Sequence, residues 1–120
     1  MAYDSNNVFA RILRGEIPCT KVYENDYALA FQDLHPQAPT HVLVIPKGPY
    51  ADHKEFAAKA SEAEIAGLHR AIGKAADIQG VSNSGYRLIS NAGPHAGPEV
   101  PHYHVHILGG RALGPILMRK

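Results

Sequence analysis

The sequence is poor in the residues that would place it in several large protein classes. Its 120 residues include one cysteine, Cys19, and no tryptophan, and the 12 basic residues nearly balance the 11 acidic ones. A single cysteine excludes an internal disulfide and a zinc site built on cysteine pairs, and it favours a reducing, cytoplasmic location. The formal net charge of +1 gives no field that would attract a nucleic acid or a membrane surface.

Long apolar runs are also lacking. No stretch approaches the roughly 20 apolar residues that span a bilayer, and the first residues lack the basic-then-apolar pattern of a signal peptide. Apolar residues nevertheless make up 45% of the chain, which is enough for a chain of this length to bury a core. We therefore expect one globular domain over residues 1–120.

Local signals predict two helices. Asn7 is a suitable N-cap for a short helix over residues 8–14, which Gly15 ends. Ser61 and Glu64 form the capping-box pattern of a longer helix that runs to about residue 79. Apolar residues recur at helical spacing along this longer helix, which indicates that it lies against a sheet.

Strand signals predict the rest of the fold. The segments with strand composition are residues 22–23, 28–33, 41–45, 86–90 and 102–108. Pro36 and Pro39 exclude regular structure between the second and third of them. The helices are too few, and the later strands too directly joined, for a doubly wound parallel fold. The sequence therefore predicts an α+β fold, a five-stranded antiparallel meander with one long and one short helix.

Histidine is the abundant residue, with eight in the chain, and His102, His104 and His106 fall within five positions. Side chains alternate along a strand, so these three would share one face of the fifth strand. Tyr103 and the apolar residues that alternate with the histidines would then pack beneath the long helix. The histidine face should look onto a cleft, solvent or a ligand.

Three interpretations of this face remain open. The histidines could be a solvated polar row, although imidazoles would repel one another there if charged. They could bind a metal, but at about 3.3 Å per residue His102 and His106 lie too far apart for all three to reach one ion. A metal site would need two of them together with His41 or an acid.

Catalysis is the third interpretation. A neutral imidazole is a nucleophile when an acceptor holds its other nitrogen, and neighbouring imidazoles can move protons and bind an anion. The loop from Asn91 to Gly97 directly precedes the histidines, and its glycines allow backbone amides to approach a phosphate. A phosphorylated histidine intermediate is then chemically reasonable.

The run H-Y-H-V-H-I-L at 102–108 resembles the histidine-triad (HIT) motif, in which three histidines alternate with apolar residues. Further segments are similar to the nucleotide-binding (HINT) branch of that family. They are R-G-E-I-P at 14–18, V-Y-E-N-D at 22–26, A-F-Q-D-L-H-P-Q-A-P-T-H-V-L-V-I-P-K at 30–47, S-N-A-G at 90–93 and H-I-L-G-G-R at 106–111. The resemblance covers about residues 7–111, which we take as the core, and leaves 112–120 as a tail.

The resemblance implies a HIT-like fold whose sheet continues across a homodimer. It also implies binding of a purine nucleotide such as AMP or GMP, and hydrolysis of nucleoside 5′-phosphoramidates through a nucleotidyl-histidine intermediate. Neither a cofactor nor a metal is implied. A nucleotide-binding regulatory protein with little turnover and a dinucleoside polyphosphate hydrolase remain alternatives. Asn91 stands where the latter branch typically carries glutamine, which favours the HINT interpretation.

The same resemblance assigns roles to individual residues. His104 matches the nucleophile, His102 and His106 match the flanking histidines that contact phosphate, and His41 matches a fourth histidine that relays protons. The expected nucleotide-binding residues are Asp33 at the ribose, Phe31 and Leu34 at the base, and Asn91, Gly97 and Glu99 at the phosphate or leaving group.

Two positions depart from the family pattern. Pro98 replaces a glutamine that usually follows the loop glycine, and it removes a backbone donor. Glu99 stands where some members have a serine that assists the leaving group, while many bacterial members carry glutamate. We therefore expect the loop before the triad to stabilise the transition state differently from family members that carry the usual residues.

Overall fold

The computed structural model describes residues 2–97 and 99–118, and these form one antiparallel sheet with helices on both faces. The helices are α1 (Val8–Leu13), α2 (His53–Lys59) and α3 (Glu62–Ile78). The strands are β1 (Lys21–Glu24), β2 (Ala28–Gln32), β3 (Thr40–Pro46), β4 (Tyr86–Ile89) and β5 (Val105–Gly109). No helix in the described part of the chain is both long and apolar enough to cross a membrane.

The predicted α+β class with a five-stranded antiparallel sheet is confirmed, but the strands do not form a simple meander, and the described residues contain three α-helices where two were expected. The strands lie in the order β1-β2-β3-β5-β4, and all neighbours are antiparallel. The first three strands follow one another directly. The chain then passes through α2 and α3 to the outer strand β4 and returns, so that β5 lies between β3 and β4. This return places the histidine segment near the centre of the sheet.

Capping side chains fix both predicted helices. The Asn7 side chain accepts a hydrogen bond from the Ala10 amide at 2.9 Å, which caps α1. Ser61 and Glu64 form the complete capping box at the start of α3.

Helix α2 was not predicted. It begins after Asp52, whose side chain accepts from the Glu55 amide at 3.0 Å, while the Glu55 carboxylate accepts from the Ala51 amide at 2.9 Å. The Asp52 cap is like that of α3, but Glu55 binds the amide of the residue before the N-cap, so the capping box is incomplete. The segment is also too short to show a helical apolar period.

The two faces of the sheet bury different sets of side chains. One face packs against α3, and its strands contribute Ala28, Ala30, Val42, Val44, Val105 and Ile107. The other face packs against α1, and its strands contribute Leu29, Phe31, Leu43 and Ile45. Strand alternation produces this division, because successive side chains point to opposite faces. The cross-strand pair Leu43 and His106 places the histidine on the α1 face.

Candidate active site

The fifth strand is shorter than predicted. It begins at Val105, so His102 and His104 precede it instead of lying on it. The β3–β5 register pairs Val44 with Val105, and continuing that register would place Tyr103 opposite Pro46. Proline has no amide hydrogen to donate, and the Tyr103 amide donates instead to the Tyr50 carbonyl at 2.7 Å. The single-strand interpretation of residues 102–108 is therefore wrong for its first half.

His102 does not face a cleft, which corrects a second expectation. Its side chain is fully buried, its Nε2–H donates to the Pro46 carbonyl at 2.8 Å, and its Nδ1 lies 2.9 Å from the Tyr3 hydroxyl. Burial lowers the pKa of His102 more than the Pro46 carbonyl raises it, which favours the neutral ring. Both ring nitrogens are used inside the protein, so the imidazole is not placed to contact a phosphate.

His104 is held by the backbone of its neighbour. Its Nδ1–H donates to the His102 carbonyl oxygen at 2.8 Å, and the edge of the Phe9 ring lies 5.0 Å away, centroid to centroid. This hydrogen bond places the proton of a neutral imidazole on Nδ1. In a neutral ring Nε2 then carries the lone pair, and this atom lies 3.2 Å from Glu99 Oε2.

His41 and His106 form a chain of imidazoles with a defined proton order. The Gln37 amide donates to His41 Nδ1 at 3.1 Å, so a neutral His41 carries its proton on Nε2. That Nε2 lies 2.9 Å from His106 Nδ1 and 3.3 Å from Asp33 Oδ2. With Nδ1 of His106 accepting, its own proton lies on Nε2, directed into the site.

The electrostatics favour a neutral His106. Burial lowers the pKa of His106, and so does the neighbouring His104, while the carboxylates of Glu99 and Asp33 only partly offset this. A neutral His106 is a hydrogen-bond donor at the mouth of the site without adding a positive charge. It can donate to an oxygen of a bound anion.

Glu99 completes the polar end of the site. Its Oε1 accepts from the Asn91 side-chain amide at 2.6 Å and lies 3.7 Å from His106 Nε2. Burial raises the pKa of the Glu99 carboxyl, but the Asn91 hydrogen bond and the two histidines outweigh it, so that the pKa lies below its ordinary value. Glu99 is therefore a partly buried carboxylate that faces two imidazoles.

An apolar pocket of about 340 Å³ opens beside these groups. Its sequence-predicted lining residues are Phe31, Asp33, Leu34, Glu99, His104 and His106. Phe31 is buried and forms part of the packed wall, whereas Leu34 is 79% exposed and lies at the rim of the pocket. Asp33 also accepts from the His35 amide at 2.8 Å, which holds its carboxylate at the pocket edge.

Sequence reasoning missed the contribution of α1 to this pocket. Val8, Phe9 and Ile12 line it, opposite Phe31 and Leu43. The sequence signal for this contribution is the spacing of these three residues, which places them on one apolar face of a short capped helix. A larger groove of about 730 Å³ runs along α3, and its lining contains no histidine.

The other expected residues do not line the pocket themselves. His41 contacts His106, and Asn91 donates to Glu99. Gly97 has φ +99°, a conformation that favours glycine, and lies three residues beyond Pro94 in the loop. Pro98 lies outside the described residues, as do Arg119 and Lys120 of the tail.

Two groups of side chains in the described residues bring three potential metal donors within 4.8 Å of one another: Asp33 with His41 and His106, and Glu99 with His104 and His106. Each has the composition that a metal site would need here, two imidazoles and one carboxylate. An ion in either group would have to replace short contacts that already join those atoms. We interpret both as proton networks.

The geometry defines a site for imidazole chemistry: one imidazole nitrogen is aimed into a pocket, and further imidazoles and carboxylates stand around it. Comparison with known proteins gives the family. Residues 14–113 match the HIT domain family, and the chain belongs to it.

Relatives match nearly the whole chain. An uncharacterized HIT-like protein of Azospirillum brasilense is 61% identical over 117 residues, 98% of this chain and 96% of that protein. The purine nucleoside phosphoramidase of Escherichia coli K12 is 42% identical over 113 residues, 94% of each chain. A solved HIT family hydrolase from Clostridium thermocellum is 41% identical with a TM-score of 0.86, over 96% of this chain and 99% of that one.

Proposed function

We propose that this protein hydrolyses purine nucleoside 5′-phosphoramidates, with His104 as the nucleophile that carries the nucleotide as a covalent intermediate. The hydrogen bond from His104 Nδ1 to the His102 carbonyl carries this proposal, because it leaves Nε2 as a lone pair aimed into the pocket. The 42% identity to a protein named purine nucleoside phosphoramidase supports the reaction class.

The pocket supports a nucleotide as substrate. Ligand pockets typically measure about 300–1,000 Å³ and are mostly apolar with a few polar groups. This one has aromatic and aliphatic walls at one end and His104, His106 and Glu99 at the other. In this proposal the base lies against the apolar wall to which Phe9 and Phe31 contribute, with the phosphorus at the histidines.

Roles follow from position. Asp33 lines the pocket, and its carboxylate would accept from ribose hydroxyls. His106 donates from Nε2 to a phosphate oxygen, and His41 fixes its tautomer. His102 supports the nucleophile through its backbone carbonyl. Asn91, Gly97 and Glu99 form the leaving-group side.

His104 Nε2 forms a bond to phosphorus, the phosphorus–nitrogen bond breaks, and the departing nitrogen takes up a proton and leaves as an amine. Water then attacks the nucleotidyl-histidine, which releases the nucleoside monophosphate and restores the imidazole. We also propose that the protein works as the homodimer that the resemblance implies. Edge strand β4, with Tyr86 and Leu88 exposed, is available for such pairing.

The experiment is turnover of a fluorogenic adenosine 5′-phosphoramidate by wild type and His104→Ala. We expect the variant to lose at least about 10³-fold in kcat/KM while its circular dichroism spectrum is unchanged. His69→Ala, at an exposed position on α3, is the matched control and should keep full activity.

Three further measurements separate the alternatives. Activity should persist in excess chelator, whereas its loss there would indicate a metal enzyme. AMP binding by calorimetry with no amine released over hours would instead favour a nucleotide-binding regulatory protein. Preference for dinucleoside polyphosphates in a substrate panel would indicate a dinucleoside polyphosphate hydrolase.

A further inference from the structure

Tyr3 is far from the triad in the sequence but contacts it in the structure. Its hydroxyl oxygen lies 2.9 Å from His102 Nδ1, and the two ring centroids are 5.5 Å apart. The Tyr3 side chain is half-buried, and His102 is fully buried. Tyr3 is not among the described residues that line the pocket, so an effect on the reaction would have to pass through His102.

The segment that carries Tyr3 is fastened to helix α1. The Asp4 carbonyl accepts from the Asn7 backbone amide at 3.0 Å and from the Asn7 side-chain amide at 2.7 Å. The Ser5 carbonyl accepts from Arg14 Nη1 at 2.8 Å. Asn7 is itself buried and caps α1, so the chain that follows Tyr3 has a defined position. The phenol is therefore presented to His102 by an ordered segment.

The positions of the protons in this contact follow from the partners of the two ring nitrogens. A carbonyl oxygen only accepts, so the 2.8 Å contact with Pro46 places the proton of a neutral His102 on Nε2. Nδ1 then carries a lone pair, and the Tyr3 hydroxyl is the donor. His102 and His104 thus have opposite tautomers, because the neutral His104 ring carries its proton on Nδ1.

Removal of the Tyr3 hydroxyl would leave the buried ring with one nitrogen that has lost its partner. Such groups are costly inside a protein, and a change of tautomer would not relieve the cost. The other tautomer would set the Nε2 lone pair of His102 against the Pro46 carbonyl oxygen. The ring of His102 would therefore have to shift.

The backbone of His102 orients the nucleophile. Its carbonyl accepts from His104 Nδ1–H at 2.8 Å, and residue 102 lies outside the β3–β5 ladder. The neighbouring backbone bonds run from the His102 amide to the Val100 carbonyl at 2.8 Å and from the Tyr103 amide to the Tyr50 carbonyl at 2.7 Å. Because strand pairing does not hold this residue, its side chain, bound at both ring nitrogens, takes a larger share of that task.

We propose that Tyr3 is a positioning residue for the nucleophile: its hydroxyl donates to His102 Nδ1 and holds that residue so that the His102 carbonyl orients His104. The effect on turnover rests on the proposed function, whereas the hydrogen bond can be tested without a substrate. Tyr3 precedes residues 14–113, the part that matches the HIT domain family, so the family pattern assigns it no role.

The first test is nitrogen NMR of the histidine rings in wild type and in Tyr3→Phe, which removes only the hydroxyl. Wild-type His102 should show a protonated Nε2 and an Nδ1 that accepts a hydrogen bond. In Tyr3→Phe the Nδ1 resonance should move toward that of a nitrogen that accepts none. Tyr27→Phe, which removes the same group from an exposed residue beside α3, should leave the His102 resonances unchanged.

The second test is turnover of an adenosine 5′-phosphoramidate per folded molecule. A misplacement of about 1 Å can cost about 10²-fold, so the looser carbonyl in Tyr3→Phe should cost roughly tenfold in kcat/KM. AMP affinity by calorimetry should stay within about twofold of wild type, because the loss falls on the transition state and not on ground-state binding. Tyr27→Phe should keep full activity.

A double-mutant cycle tests whether Tyr3 acts through His102. His102→Phe keeps an aromatic ring but removes the nitrogen that accepts from the Tyr3 hydroxyl. In that background Tyr3→Phe should cause no further loss in kcat/KM, because two residues that act through one hydrogen bond are not additive.

Full kcat/KM in Tyr3→Phe, an unchanged His102 spectrum or the same loss in both backgrounds would overturn the proposal. Lower stability with wild-type kcat/KM per folded molecule would show a merely structural role and would overturn it too. Failure of the proposed function looks different. In that case wild type itself would release no amine, while the NMR comparison would still report the hydrogen bond from Tyr3.

Discussion

The two faces of the sheet carry different tasks although they are made from alternate residues of the same strands. The α3 face holds a closed apolar core in which Leu68, Val42 and Ile107 are fully buried. The α1 face has a smaller apolar cluster, and the histidines, two carboxylates and the pocket lie beside it. We infer that the α3 face contributes most of the folding stability and the α1 face carries the chemistry. Substitutions on each face can therefore change stability and activity separately.

The largest effect on folding should come from the α3 face. Leu68→Ala removes a fully buried side chain, and such substitutions cost about 2–5 kcal/mol of the free energy of unfolding. kcat per folded molecule should stay at the wild-type value, as urea unfolding and turnover on the same samples would show. Leu117→Ala, at a side chain that is 79% exposed, is the control. A fall in kcat per folded molecule in Leu68→Ala would contradict this prediction and show that packing on the α3 face affects the site on the α1 face.

A smaller effect, on activity alone, should come from Asp33→Asn. The substitution keeps an oxygen for the His35 amide but removes the charge beside His41 Nε2. The Asp33 charge raises the pKa of His106, so its removal should lower that pKa, which histidine NMR titration can follow. We expect a roughly tenfold fall in kcat/KM, on the order of 1.4 kcal/mol. Asp26→Asn, in the exposed β1–β2 turn, should leave both kcat/KM and the pKa of His106 unchanged. An unchanged pKa of His106 in Asp33→Asn would contradict the proposed influence of Asp33 on His106.

The smallest effect should be a pH dependence of stability from His102. Its folded-state pKa lies below the ordinary value of 6.5, so below about pH 6.5 the unfolded chain binds a proton that the folded one does not. Stability is complete above that pH and falls as the pH drops, by at most about 1.4 kcal/mol per unit for one group. His102→Asn should flatten the dependence measured by urea unfolding between pH 7.5 and 5.5. The exposed His69→Asn should keep the wild-type slope, and an unchanged slope in His102→Asn would contradict the assignment.

Much of the fold could be predicted because its signals are local. The caps at Asn7 and Ser61 lie within four residues of the groups that they bind, and strand alternation assigned Tyr103, Val105 and Ile107 correctly to the core beneath α3. The structure brings the rings of His41, His104 and His106 close to one another. Their roles stay predictions.

The rest depends on contacts between distant parts of the chain. The start of β5 depends on Pro46, more than fifty residues earlier in the chain. The buried position of His102 depends on its hydrogen bonds with the Pro46 carbonyl and the Tyr3 hydroxyl. Nothing near His102 in the sequence distinguishes it from His104. The contact of Glu99 with the His104 nitrogen likewise follows from how the loop folds back, which spacing alone does not give.

The central claim is that His104 Nε2 becomes bonded to phosphorus during turnover. Rapid mixing with an adenosine 5′-phosphoramidate, quenching in alkali and peptide mapping by mass spectrometry would test it most directly. We predict one nucleotidyl group on the peptide that contains residues 102–106, fragmentation that places it on His104, and no adduct in His104→Ala. An adduct on His106, or full turnover by His104→Ala, would contradict the account.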